Sequence, residues 1–380
     1  MQVCTLLFTP QDGWSAEFPP LDSPNTLVLV FGASGFVDAP EPIQELRERF
    51  PQSVLAGCSS SGEVLGDGIR DGSLVVAISK FASTKIQFAL ERIADHTDSQ
   101  AVGAALASRL DKSDLRGVIV LSDGLGVNGT DLVRGLTVNL PDDVVATGGL
   151  AGDGDRFERT WVLSDNGTPR PGLVTVIGLS GESVKFGHGS RGGWDSFGPE
   201  RKITRAEGNV LYELDGRPAL DLYRDYLGER AEGLPATGLL FPLAIRRDVS
   251  DENVLVRTIL GIDDEHRSMT FAGDLPQGWQ AQLMKANFDR LIDGAADAAL
   301  LARRDDENAT TTLAIAISCV GRRLVLGERA EEEIEAVLEG LPPATQQVGF
   351  YSYGEISPNV NGKCDLHNQT MTLTTIQETD

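Results

Sequence analysis

The chain has 380 residues, of which 41% are hydrophobic and 23% charged, and its 33 basic and 56 acidic residues give a net charge of −23. This acidity argues against nucleic-acid binding and against docking on anionic lipid, because both need a basic surface. The length predicts two or three domains with cores of normal size.

The sequence predicts a cytoplasmic protein without membrane insertion. No stretch approaches the roughly 18 consecutive apolar residues that cross a bilayer. Residues 1–10 lack the basic start and the cleavage pattern of a signal peptide. The four cysteines (Cys4, Cys58, Cys319 and Cys364) are too scattered to form a disulfide scaffold.

The predicted elements repeat one order along the chain. A buried strand, a short helix and a second strand are predicted within residues 27–63, and the same order recurs within 117–153 and 313–355. A long helical pattern runs from Asp274 to Arg304. We therefore predict an α/β protein of two related halves, with mixed β-sheets flanked by helices and an internal duplication of the strand-helix-strand-turn unit.

A short motif follows the second strand of each unit. Residues 57–64 (Gly-Cys-Ser-Ser-Ser-Gly-Glu-Val) and 349–356 (Gly-Phe-Tyr-Ser-Tyr-Gly-Glu-Ile) place Gly, Ser, Gly and Glu in register, and residues 148–153 end similarly in Gly-Asp. Such turns present N–H groups, hydroxyls and a carboxylate at the carboxyl edge of a sheet, where ligands bind in open α/β proteins. We therefore predict that the halves meet around a cleft for a small polar ligand.

The predicted ligand residues are polar, aromatic and glycine residues of these motifs and of nearby strand ends. They are Cys58, Ser59, Ser60, Ser61, Gly62, Glu63, Gly149, Gly152, Asp153, Cys319, Arg322, Tyr351, Ser352, Tyr353, Gly354, Glu355, His367 and Asn368. Glu63 and Glu355 suit a ligand ammonium group and Arg322 suits a carboxylate, so the set suits an amino acid. The alternative is structural: Gly and Ser permit tight turns, and the two Glu carboxylates bond neighbouring N–H groups.

These motifs resemble those of the FIST family. The resemblance rests on residues 57–63, 148–153, 214–220 and 282–296, and most specifically on Ser318–Arg322, Gly349–Pro358 and Leu366–Thr370. It implies a FIST N-type domain at residues 1–200 and a FIST C-type domain at residues 201–380. It also implies a sensory protein rather than an enzyme, which binds a small molecule and signals to a separate partner such as a histidine kinase.

Two other functions stay open. Some members of the family resemble haem-binding nitric-oxide sensors, and His188, which follows a strand, is the candidate axial ligand of a non-covalent haem. A cysteine-dependent hydrolase would use Cys58 or Cys319 with His188 or His367. A thiol in an apolar strand is, however, more often a small buried hydrophobe than a nucleophile.

Overall fold

The computed structural model describes residues 1–304, 311–359 and 361–379. The strands are β1 (Gln2–Thr9), β2 (Gly13–Trp14), β3 (Thr26–Ala33), β4 (Val54–Ser60), β5 (Glu63–Leu65), β6 (Gly68–Arg70), β7 (Leu74–Lys80), β8 (Lys85–Arg92), β9 (Leu115–Ser122), β10 (Val145–Leu150), β11 (Val162–Leu163), β12 (Pro169–Arg170), β13 (Leu173–Ser180), β14 (Val184–Arg191), β15 (Asp195–Ser196), β16 (Arg201–Glu207), β17 (Val210–Leu214), β18 (Arg217–Pro218), β19 (Leu243–Arg246), β20 (Leu255–Arg257), β21 (Ile259–Asp263), β22 (Ser268–Phe271), β23 (Gln280–Lys285), β24 (Thr312–Cys319), β25 (Thr345–Ser352), β26 (Gly354–Pro358), β27 (Cys364–His367) and β28 (Met371–Glu378). The α-helices are α1 (Glu41–Arg49), α2 (Ser99–Arg109), α3 (Gly129–Asn139), α4 (Ala219–Leu227), α5 (Phe288–Ala302), α6 (Val320–Leu326) and α7 (Ala330–Glu339).

Three sheets share one strand order. The first contains β4-β3-β7-β1, the second β10-β9-β13-β8 and the third β25-β24-β28-β14. In each sheet the first two strands are parallel and the other pairs are antiparallel. The prediction of an α/β protein with mixed sheets flanked by helices is confirmed. The duplication stays a prediction, although this order of elements occurs three times.

The central strands of the three sheets are buried on both faces. All residues of β24 and all but the last of β3 are buried, which explains their continuous apolar runs. Phe31 of β3, Ile119 of β9 and Phe350 of β25 belong to one core, and the rings of Phe31 and Phe350 stack with centroids 4.8 Å apart. The three sheets therefore pack around a common apolar centre.

The three sheets also exchange strands. A short hairpin follows each motif and pairs with the motif-bearing strand of a different sheet: β5 pairs with β25, β26 with β10, and β11 with β4. The exchange runs from the first sheet to the third, from the third to the second, and from the second back to the first. Main-chain pairing therefore closes a cycle through all three sheets.

The segment between β14 and α5 forms a fourth sheet of nine strands. Its order is β20-β19-β23-β16-β17-β22-β21, with β15 and β18 attached, and α4 packs on it with the buried Tyr223. The long helix predicted from Asp274 to Arg304 is wrong in its first part, because residues 280–285 form β23. Helix α5 begins only after Asn287, whose side chain accepts a hydrogen bond from Arg290 N.

The domain boundary predicted between residues 200 and 201 falls at the start of β16, inside this fourth sheet region, and stays a prediction. Among the described helices, none combines the length and the apolar character that crossing a bilayer requires.

Candidate functional site

The three motif turns meet at one place, where main-chain hydrogen bonds join them in a ring. Ser61 N donates to Tyr351 O at 2.8 Å, Gly152 N to Ser59 O at 3.1 Å, and Tyr353 N to Leu150 O at 3.1 Å. Each bond connects the motif of one sheet with the motif of another. The structure therefore brings together distant strand ends that the sequence singled out.

Glu63 is buried at the end of the first motif, where its carboxylate accepts hydrogen bonds from its own chain. Oε1 accepts from Ser60 Oγ, and Oε2 accepts from Ser73 N at 3.1 Å and Ser73 Oγ at 2.8 Å. Burial raises the pKa of Glu63 to about 7, although these hydrogen bonds oppose the rise. The carboxylate thus ties the turn to the start of β7.

Glu355 repeats this arrangement in the third motif. Oε1 accepts from Ser352 Oγ at 2.8 Å, and Oε2 accepts from Thr370 N at 3.2 Å and Thr370 Oγ1 at 3.0 Å. Burial raises the pKa of Glu355 to about 8. Because both carboxylates already accept hydrogen bonds within the chain, their role as acceptors for a ligand ammonium group stays a prediction.

Asp153, the carboxylate of the second motif, holds the loop of residues 154–159. Its Oδ1 accepts from Phe157 N at 3.0 Å, and its Oδ2 accepts from Glu158 N and Arg159 N at 3.0 Å each. Tyr353 of the third motif donates its hydroxyl to Asp153 and stacks on the Phe157 ring at 4.4 Å between centroids. Burial opposes ionisation of Asp153, but the Tyr353 and main-chain hydrogen bonds lower its pKa overall.

Arg322 and Glu333 form an ion pair that is completely buried. Arg322 Nε lies 2.7 Å from Glu333 Oε2, and both side chains are fully inaccessible to solvent. The other guanidinium nitrogens donate to main-chain carbonyls, and Glu333 Oε1 accepts from Tyr351 OH at 2.8 Å. Arg322 therefore has partners inside the protein, and its pairing with a ligand carboxylate stays a prediction.

The next residue, Arg323, reaches solvent. Its two terminal nitrogens lie 2.8 and 2.7 Å from the carboxylate oxygens of Asp71, and Nη1 donates to Ser61 O at 2.6 Å. The guanidinium also lies 5.4 Å from the centre of the Tyr351 ring. The sequence analysis did not select Arg323. It is an arginine like its neighbour Arg322, and only the rotation of about 100° per residue along α6 turns the two side chains in different directions.

A cleft of about 860 Å³ opens beside Arg323, and we call it the strand-end cleft. Its walls include residues that directly follow parallel strands of the first and third sheets: Ser34 after β3, Ser61 after β4, and Val320 after β24. The loop of residues 154–159, which follows β10, completes it. The cleft thus lies at the edge where α/β sheets bind ligands.

The strand-end cleft carries side chains of both charges. The basic residues are Arg156, Arg159 and Arg323, and the acidic residues are Glu63, Asp71, Asp155 and Glu158. Four of the predicted ligand residues line it, namely Ser60, Ser61, Gly62 and Glu63. A cleft with opposed charges can hold the two ends of a zwitterion.

His188 and His367 line a different cavity of about 740 Å³, which we call the edge cavity. It follows residues 187–194, and its lining also includes Val254, Met284 and Leu301. Burial lowers the pKa of both histidines, and Arg304 lowers that of His188 further. The few predicted ligand residues that line a cavity are therefore divided between two of them.

The remaining predicted residues are buried and line neither cavity. They are Cys58, Ser59, Gly149, Gly152, Asp153, Cys319, Arg322, Tyr351, Ser352, Tyr353, Gly354, Glu355 and Asn368. Burial raises the pKa of the Cys58 and Cys319 thiols well above the usual range, so both are neutral at neutral pH. Within the described ranges, no group of three or more His, Cys, Asp or Glu side chains could hold a metal ion.

An α/β protein whose strand ends enclose a charged cleft has the architecture of a small-ligand-binding protein. The chain matches the FIST N domain over residues 26–217 and the FIST C domain over residues 219–358. It therefore belongs to the FIST family, whose domains are small-ligand sensory domains of signal transduction rather than catalytic domains.

Two relatives illustrate how far the similarity extends. An uncharacterized protein of Methanocaldococcus jannaschii is 24% identical over 324 residues, which are 77% of this chain and 60% of that protein. The chain thus spans about 60% of the length of this relative. An uncharacterized protein of Mycobacterium tuberculosis is 25% identical over 365 residues, which are 91% of this chain and 90% of that protein.

Proposed function

We propose that this protein senses an amino acid, or a similarly small zwitterion, in the strand-end cleft and signals its presence to a separate protein such as a histidine kinase. The observation that supports this most is a cleft of about 860 Å³ at strand ends of the first three sheets, lined by side chains of both charges. Family membership supports the sensory role.

Arg156 and Arg159 bind the ligand carboxylate in this proposal. Both side chains are about half exposed. Arg156 donates to Ser34 Oγ at 3.2 Å and its Nε lies 3.8 Å from Asp153 Oδ2, whereas Arg159 pairs with Asp38. A guanidinium that keeps free N–H groups can add a carboxylate bidentately. The exposed Asp155 and Glu158 on the same loop accept the ligand ammonium group.

The loop of residues 154–159 also gives the ligand a connection to the rest of the molecule. It is fixed by Asp153 from the second motif and by Tyr353 from the third. A ligand that binds this loop more tightly in one arrangement shifts the population towards that arrangement. The partner protein would read this change at the exposed Phe157, which packs on Tyr353.

A thermal-shift series with the individual amino acids tests the proposal. We expect one or a few to raise Tm, because a ligand at 100 times its Kd stabilises the folded state by about 2.7 kcal/mol. Arg156→Ala and Arg159→Ala should lose this shift. Arg217→Ala, which removes an exposed arginine paired with Asp225 in the fourth sheet region, is the matched control and should keep it.

Either of two results would contradict this function. The first is that no amino acid raises the Tm of the wild-type protein at millimolar concentration. The second is that the Tm shift survives unchanged in both arginine variants, because the ligand would then bind elsewhere.

A non-covalent haem in the edge cavity is a second candidate, supported by one observation. His188 lines this cavity beside the apolar Trp194 and Leu301, and its lowered pKa keeps the imidazole neutral and able to ligate iron. Haem would supply the gas- or redox-sensing chemistry, with His188 as axial ligand. Protein reconstituted with haem should show a Soret band. His188→Ala should remove this band, and the control His96→Ala should retain it. Protein that stays colourless would contradict haem binding.

A further inference from the structure

The edge cavity runs along an unpaired strand edge. Strand β14 lies at the end of the third sheet, and in the described part of the chain β28 is the one strand that pairs with it. Residues 187–194 all line the cavity, so the cavity follows the strand for its length beyond Phe186. Open strand edges offer unpaired N–H and C=O groups to any extended chain that reaches them.

Arginine side chains donate hydrogen bonds to main-chain carbonyls along this edge. The carbonyls of Phe186, Ser190 and Gly192 accept from Arg304 Nε at 2.9 Å, Arg191 Nη1 at 3.3 Å and Arg322 Nη1, respectively. In an antiparallel strand, alternate residues turn their main-chain groups to the same side. Phe186, His188 and Ser190 are alternate residues of the strand, so the N–H and C=O of His188 also face away from β28.

Glycines make the edge accessible to another main chain. Gly187 and Gly189 lie so close to α5 that a Cβ would sit 1.9 Å from Ala302 O and 2.1 Å from Ala298 O. Helix α5 therefore covers one face of β14 without side chains between them. The strand ends at Arg191, and Gly187 and Gly189 within it add no side chain beside its outer edge.

The walls of the cavity indicate the character of the chain that would bind. Among its described lining residues, Arg191 and Arg304 are basic and Glu252 is acidic, in a protein whose net charge is −23. The apolar lining residues are Trp194, Val254, Val256, Met284 and Leu301. Carboxylate side chains suit the arginines, and apolar side chains suit these apolar residues.

We propose that the edge cavity is a docking groove in which an extended acidic segment of a partner protein adds a strand to β14. Its main chain pairs with His188 and Ser190 and displaces the weak contact between Arg191 and Ser190 O. Alternate side chains of the segment are acidic towards the arginines and apolar towards Trp194 and Met284. Main-chain pairing supplies affinity and the alternate side chains supply specificity. This groove is separate from the strand-end cleft, so the inference does not depend on the ligand of that cleft.

Fluorescence anisotropy with a labelled, end-blocked peptide of three Glu-Val repeats tests the groove. We expect saturable binding, at least about tenfold weaker to Arg191→Glu, because the replaced charge repels the peptide. Arg92→Glu changes an exposed arginine at the end of β8 and should leave binding unchanged. A peptide of the same sequence with alternate amides N-methylated should not bind, since it cannot donate to the strand edge.

Hydrogen exchange supplies a second readout. Bound peptide should slow exchange of the His188 and Ser190 amides, and the paired strands β3 and β7 of the first sheet should serve as an unchanged reference. The inference is overturned if the Glu-Val peptide does not bind at millimolar concentration, or if the N-methylated or a Lys-Val peptide binds equally well. Haem uptake through His188 that blocks the peptide completely would assign the cavity to haem instead.

Discussion

The first and third motifs have the same internal geometry but different surroundings. Glu63 and Glu355 each accept a hydrogen bond from the hydroxyl of the serine three residues earlier. Each also accepts two hydrogen bonds from one downstream Ser or Thr, from its N–H and from its hydroxyl. The first motif lines the strand-end cleft, whereas the third pairs with β27 and lines neither cavity. The comparison teaches that local sequence builds the turn, and that neighbouring elements decide whether the turn faces a cavity.

The largest expected effect is a difference in stability between variants of the two consecutive arginines. Arg322→Met leaves the carboxylate of Glu333 buried without its partner, which should lower the free energy of unfolding by about 3–5 kcal/mol. Arg323→Met removes a half-buried pair with the exposed Asp71, which should cost about 1 kcal/mol or less. Urea denaturation of both variants measures the difference. Equal losses would mean that the surroundings of the two motifs do not differ as described.

The next effect concerns pH. Raised pKa values mean that the folded protein favours the protonated Glu63 and Glu355, so stability is complete below the unfolded pKa of about 4.5 and falls as pH rises towards about 7 and about 8. Glu355→Gln and Glu63→Gln should each flatten this fall. Each variant should therefore be less destabilised relative to the wild type at about pH 9 than at about pH 5.

Urea denaturation of the wild type and both variants between about pH 5 and about pH 9 measures this change. Glu378 provides an internal contrast, because hydrogen bonds from Ala82, Ser83 and Thr84 overcome the effect of burial and lower its pKa to about 2. Its contribution is lost only as pH falls below about 4.5, outside the window of the experiment. Because the lowered pKa values of His188 and His367 add a rise with pH that all three proteins share, the variants are compared with the wild type. A Gln variant with the same pH dependence as the wild type would contradict the assignment.

The smallest effect distinguishes the two motif glycines. Gly62 has a φ of +138°, and a Cβ there would lie 2.4 Å from Arg323 Nη1, whereas a Cβ at Gly354 would lie 3.0 Å from a Leu366 methyl group. Gly62→Ala should therefore cost about 1 kcal/mol more than Gly354→Ala, through backbone strain. Thermal unfolding of the two variants measures the difference. A larger loss for Gly354→Ala would show that core crowding outweighs the strain.

The parallel strands and the motif turns could be predicted from sequence, because buried apolar runs and the spacing of Gly, Ser and Glu are local signals. The cyclic exchange of β5, β11 and β26 could not, because main-chain pairing between distant segments leaves no side-chain signature. The error at Asp274–Arg304 arose where the half-buried strand β23 runs directly into α5. Taken together, the apolar residues of the two adjacent elements follow the spacing expected of one continuous helix.

The candidate site was predictable only in part. The residue types of the motifs indicated where the chain turns, but not which turn faces solvent. Arg322 and Arg323 are identical in type and adjacent in sequence, and only the packing of α6 makes one an internal anchor and the other a wall of the cleft. The loop of residues 154–159 carries charges typical of any surface loop, so its position over the cleft had no sequence signal.

The cyclic exchange of hairpins has a consequence for how a bound molecule is felt. A protein built of hinged lobes reports occupancy by swinging one lobe against another. Here each of the first three sheets is completed by a strand from another of them, so none of the three can swing without breaking backbone pairing at a corner shared with its neighbour. A change at one corner is therefore transmitted to all three sheets.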